Sequence, residues 1–179
     1  IPLFLGLPKS MYFFYGGCIL LFNGFASFYY HYYLNFLGKQ ADEISMILIN
    51  YYTLMGLIHL NYKDSISNIK KYNLLNTFFS MCFIIFNTEI YFDFLFPYFF
   101  GIYILFLLKF LYKVHQKFEV PMLANLGLSV FGASSWFISE LYCNQYTQYF
   151  HILWHLLFPL GFYRIILDCD EIYNRETLL

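Results

Sequence analysis

The chain has 179 residues, of which 60% are hydrophobic, 25% aromatic and only 12% charged, with a formal net charge of −1. That composition, at a mean hydropathy of +0.56, excludes an ordinary soluble domain. The absence of a basic face that could neutralise phosphates excludes a nucleic-acid partner, and an integral membrane protein remains. The abundant Phe and Tyr occur alongside abundant Ile, Asn and Lys. All five have A/T-rich codons, so the aromatic excess reads as nucleotide bias rather than as a binding surface.

In chain order, residues 1–8 form an apolar stub, too short to cross a bilayer that needs about 20 apolar residues. The stub has the character of the last turns of an earlier helix, so a chain truncated at its start is expected. Six full spans follow, near 11–33, 43–61, 72–90, 94–114, 120–140 and 149–168. Because backbone polar groups in lipid must be satisfied within the segment, the expected fold is an all-α transmembrane helix bundle. It is of the seven-helix type with the first helix mostly missing, and one domain covers residues 1–179. Lys9, Lys63, Lys70, Lys71, Lys109, Lys113, Lys117, Arg164 and Arg175 fall on one side and only Lys39 on the other. By the positive-inside rule the C-terminus and the loops near 62–71 and 113–119 are cytosolic. The loops near 34–42, 87–93 and 141–148 are then luminal or external.

This topology brings five polar residues to one depth. Ser27 and His31 lie at the outer end of the first full span, Asp42 opens the next, and His151 and His155 open the last. Residues four apart share a helix face, so Ser27 sits over His31 and His151 over His155. Catalytic zinc commonly takes three protein ligands and keeps a fourth position for water, whose pKa falls to about 7. Three imidazoles from two helices meet that count. Asp42 fits a general base or an orienting carboxylate, and Ser27 can donate to a carbonyl oxygen that gains charge.

Blander roles compete with each assignment. A single membrane histidine is commonly interhelical glue, although three with a carboxylate at one level make a functional site the default. Ser27 can bond back to its own helix, or with Gly24 and Ala26 permit close packing. Asn23, one turn inward, reads as an interhelical amide rather than a pocket residue. His59 and His115 read as interfacial, Glu43, Glu89, Asp93 and Glu140 as solvated helix-end charges, and Asp168, Asp170 and Glu171 as a solvated tail. Cys18, Cys82, Cys143 and Cys169 show no metal-ligand spacing, and Cys143 alone falls in an outer loop.

Three blocks carry a family resemblance. Ala26-Ser27-Phe28-Tyr29-Tyr30-His31, followed by Leu37-Gly38-Lys39-Gln40-Ala41-Asp42-Glu43, resembles the Ser-x-x-x-His segment of the alkaline ceramidases, which runs through Gly-x-Gln to Asp-Glu. Trp136-Phe137-Ile138, leading to Cys143, resembles a second block, and His151-Ile152-Leu153-Trp154-His155 resembles the family's His-x-x-Trp-His motif. The resemblance implies a seven-helix zinc amidase in which His31, His151 and His155 hold zinc, Asp42 activates water and Ser27 assists at the substrate carbonyl. It implies a ceramide substrate cleaved within the membrane to a sphingoid base and a fatty acid. It also implies a place in the endoplasmic reticulum or Golgi. Two departures stand out: Ser139, beside Glu140, occupies a position where the family usually has Asp, and the family's N-terminal acidic, calcium-associated segment is absent, so calcium is expected only in the intact protein. A related membrane lipid hydrolase of other headgroup specificity, and a non-catalytic lipid receptor with a structural zinc, are the competing readings.

Overall fold

The computed structural model of the protein describes residues 1–87, 95–119, 122–142, 144 and 146–177. The described residues are helical almost throughout. A one-turn α1 (Pro2–Leu5) precedes α2 (Met11–Tyr33), α3 (Phe36–Tyr62), α4 (Ile66–Asn87), α5 (Phe96–Phe118), α6 (Leu123–Leu141) and α7 (Gln148–Thr177). Among the described residues four helices are long and apolar enough to cross a membrane: Met11–Tyr33, Phe36–Tyr62, Phe96–Phe118 and Tyr149–Glu176. The sequence led us to expect two further spans. They correspond to α4, whose Asn, Ser and Lys residues dilute its apolar character, and to α6, whose apolar stretch is the shorter Leu123–Ser139.

The distribution of side chains is that of a bundle in lipid. Phe22, Phe25, Phe28, Leu74, Phe78, Leu105 and Leu123 point outward, while Asn50, Thr53, Asn76 and Ser80 are buried. In water an outer surface of that kind would be costly; in a bilayer it faces the hydrocarbon. The helices pack mainly as α2 on α3, α6 on α7, and α4 and α5 each on α3. Glycine sets two of the closest approaches. A Cβ on Gly56 would lie 2.6 Å from the ring of the fully buried Phe13, and one on Gly132 would meet the backbone of Phe158 2.5 Å away.

Two expectations drawn from sequence are corrected here. The loop expected near 34–42 shrinks to Leu34 and Asn35, and α3 starts about two turns before Asp42. Leu34 adopts a left-handed conformation (φ 48°) that ends α2, and the Asn35 side chain accepts from Gly38 N at 2.7 Å, capping α3 at once. Of the acidic run near the C-terminus, Glu171 is exposed as expected, but Asp168 and Asp170 are not solvated charges. The run continues α7, and the buried Asp170 carboxylate accepts from the backbone amides of Lys9 (2.9 Å) and Ser10 (2.8 Å) and from the Ser10 hydroxyl. Asp168 in turn accepts from Asn125 Nδ2 at 3.1 Å, tying α7 to α6. A capping carboxylate 160 residues away cannot be inferred from local pattern. The Cys143 reading, the loop near 87–93 with Glu89 and Asp93, and the Glu140 side chain lie outside what the structure describes.

Candidate metal centre and active site

The site forms where the C-terminal end of α2 meets the N-terminal parts of α3 and α7. Asn23, Ser27 and His31 recur at intervals of four along α2, which places them on one stripe. His151 and His155 do the same on α7. One turn beyond His155, Pro159 lies inside α7. Lacking an N–H, it releases the His155 carbonyl from its helical hydrogen bond.

The three imidazoles converge. One ligating atom from each of His31, His151 and His155 lies within 4.8 Å of the others, and the His31 and His155 Nε2 atoms are 3.1 Å apart. Ring centroids stand 4.8 to 5.2 Å from one another at interplanar angles of 66 to 81°. This edge-on arrangement suits a shared centre and does not suit stacking. Two nitrogens on a tetrahedral zinc with bonds of 2.0–2.1 Å sit roughly 3.4 Å apart, so small side-chain adjustments bring the triad to ligating separations. The donor set also fits, because three neutral imidazoles are borderline-soft ligands suited to a divalent transition metal.

The surroundings support that chemistry. The Ser139 hydroxyl donates to Trp136 O at 2.7 Å, which leaves its oxygen to accept from His151 Nδ1 at 3.4 Å. A proton on Nδ1 leaves the Nε2 lone pair for a metal. Ser139 thus sits against His151 at the position where the related motif carries Asp. Trp154, buried between the two α7 histidines in sequence, packs against Trp136 (5.7 Å) and Phe158 (4.3 Å) and fixes the face that α7 presents.

Asp42 is buried beside the triad and shares with all three histidines a cavity of about 370 Å³. Its carboxylate accepts from Asn23 Nδ2 at 2.9 Å. The Asn23 amide nitrogen also reaches Asp42 O at 3.2 Å and Ser45 Oγ at 2.9 Å. All three partners are acceptors, since the Ser45 hydroxyl is committed to Asp42 O at 2.8 Å, and this fixes the orientation of the amide. Asn23 is therefore an interhelical amide, as expected, and it is also part of the site. Its spacing of four from Ser27 was the signal that could have found it.

Ser27, His31 and His155 also line a second cavity of about 620 Å³ between α2 and α7, whose walls include Leu20, Phe28, Leu156 and Leu160. His31 and His155 thus belong to both cavities, the first more polar and the second apolar. Glu43, expected to be solvated, is buried at the edge of the polar cavity with Lys39 3.6 Å away. The early start of α3 places both on one helical face. His59 lies remote from the triad, bonded to Tyr12 OH at 3.0 Å, and takes no part.

The ceramidase family model matches residues 4–175. The chain belongs to the ceramidase family. Membership makes this ceramidase a hydrolase that acts on the amide bond of ceramide, and it places the histidine triad in a generally metal-dependent family. The match takes in α2 through the greater part of α7, hence every residue of the constellation. Neither a curated protein nor a solved structure matches the chain.

Proposed function

We propose that this ceramidase is a zinc-dependent intramembrane amidase that cleaves ceramide to a sphingoid base and a free fatty acid. The observation that carries the reading is the meeting of three imidazoles from α2 and α7 beside a buried carboxylate, at the junction of a polar and an apolar cavity. His31, His151 and His155 would hold the metal, which when bound supplies Lewis-acid activation of water and of the carbonyl.

The remaining work falls to the chain's own side chains. Asp42 accepts the proton of the attacking water, held for that task by Asn23. A positioned general base of this kind contributes on the order of 10²–10⁴ in rate. The Ser27 hydroxyl, on the wall of the apolar cavity beside His31, donates to the amide oxygen as charge develops on it. Proton delivery to the leaving nitrogen returns through Asp42, now carrying the proton it took up. The apolar cavity takes up hydrocarbon chains, and the polar cavity, with Lys39 and Glu43 at its edge, faces the hydroxyl-bearing headgroup.

A receptor with a structural zinc is the less favoured reading, because a closed structural site needs neither the buried Asp42 nor an open coordination position. The charge distribution supports a cytosolic C-terminus, and the substrate class supports a place in the secretory pathway, at the endoplasmic reticulum or Golgi. The test is metal analysis of the purified full chain combined with ceramide turnover before and after chelation. We expect one zinc per chain and activity that is lost on chelation and restored by zinc. Turnover insensitive to the chelator would refute the proposal.

A further inference from the structure

The end of the bundle remote from the histidines holds a further cavity with no part in the chemistry above. From Asp42 to Tyr62 α3 runs 20 residues, about 30 Å at 1.5 Å per residue, and it ends among lysines. α4 and α5 both pack on α3 and meet each other through long side chains, with Phe79 against Phe99 (4.8 Å) and Tyr103 (5.1 Å), their backbones standing apart. They leave between them an apolar groove of about 200 Å³ walled by Leu54, Ile58, Leu75, Phe78 and Phe106. The polar groups that reach its wall are already engaged. Tyr103 OH donates to Asn76 Oδ1 at 2.6 Å and meets the Ser80 hydroxyl, so nothing in the groove calls for water.

Tyr72 and Phe110 also line this groove, near the basic end, and they connect it directly to the lysines. The Tyr62 and Tyr72 rings stack at 5.2 Å. Lys113 Nζ donates to Tyr62 OH at 2.8 Å and lies 5.1 Å and 5.8 Å from the Tyr62 and Phe110 ring centroids, and Lys71 Nζ lies 5.8 Å from that of Tyr72. Lys70, Lys109 and Lys117 are exposed on the same turns of α4 and α5. Among the described residues none of these five lysines forms an ion pair. Lys63, by contrast, is neutralised by Glu176 at 2.6 Å.

We propose that this end of the protein binds one anionic phospholipid, with its phosphate between Lys71 and Lys113 and an acyl chain in the groove between α4 and α5. Charge complementarity selects the occupant. Lysines at a membrane surface favour an anionic headgroup, the aromatic rings beneath them sit at the usual headgroup level, and the groove behind continues for about 10 Å of helix from Phe110 to Tyr103. A free phosphate would leave the apolar groove unfilled, and ceramide carries no charge for the lysines. The site is independent of the histidine triad and of the reaction assigned to it.

The test uses the full chain in vesicles of phosphatidylcholine with or without phosphatidylserine, each doped with a photoreactive analogue carrying a diazirine in one acyl chain. The serine lipid should label peptides of α4 and α5 containing Leu75, Phe78 and Phe106, and the choline lipid should label them far less. Lys71→Gln and Lys113→Gln should each lower that labelling about fivefold, and Ile58→Trp should block it by filling the groove while leaving every lysine in place. Lys71 is exposed, so its replacement leaves the packing intact and carries the test should Lys113→Gln fail to fold. Equal labelling by both lipids, labelling unchanged by Lys71→Gln, or labelling confined to other helices would overturn the proposal.

Discussion

Replacing Asn23 with leucine isolates the contribution of one amide to catalysis. Leucine keeps the branched shape of the amide and, being somewhat larger, leaves no cavity, while the Asp42 carboxylate loses its 2.9 Å donor and remains buried. A hydrogen bond to a charged group contributes about 1.5–3 kcal/mol, which converts to roughly a ten- to hundredfold change in rate. Because Asn23 acts through Asp42, the loss should appear in kcat, with KM changed by no more than about threefold and bound metal unchanged. Asn23→Asp is the sharper control. It is isosteric, but it sets a second carboxylate against Asp42, and it should be at least as damaging as the leucine. The assay is steady-state hydrolysis of a fluorescent ceramide by the reconstituted protein, with metal content measured on the same samples. If Asn23→Leu held kcat within about twofold of the parent at full metal loading, the role assigned to this amide would be wrong.

Asp42→Asn should retain the metal and lose hydrolysis by at least about a hundredfold, the scale of a positioned general base; a fully active variant would remove Asp42 from the reaction. His151→Ala should lose both metal and turnover, and unchanged metal content would exclude it as a ligand. Asp170→Ala removes the acceptor for two backbone amides and a hydroxyl at the start of α2, at a cost of about 2 kcal/mol or more. It should lower the thermal midpoint while leaving the metal site loaded at low temperature, and an unchanged midpoint would refute the clasp. Gly161→Ala forces a methyl group into the Asn125 carbonyl and Ser129. Overpacking of this kind costs about 1–3 kcal/mol, so helicity after mild heating should fall below that of the parent.

The amino-acid sequence by itself determined the class of the protein and which of its polar side chains share a helix face. Apolar runs of span length force helices, because in lipid no other local structure satisfies the backbone. The interval of four then fixes which side chains share a face, so Ser27 with His31 and His151 with His155 were legible before any coordinates. Only the tertiary structure decided how those faces meet. That Asn23 reaches Asp42, that Ser139 stands against His151, and that Glu43 is buried beside Lys39 all depend on how α2, α3, α6 and α7 are set against one another. So does the Asp170 clasp on Lys9 and Ser10, which local pattern read as solvated charge. The physical reason is range: periodicity and hydropathy act over a few turns of one helix, whereas burial and pairing of a polar group depend on a partner brought from elsewhere in the chain by packing.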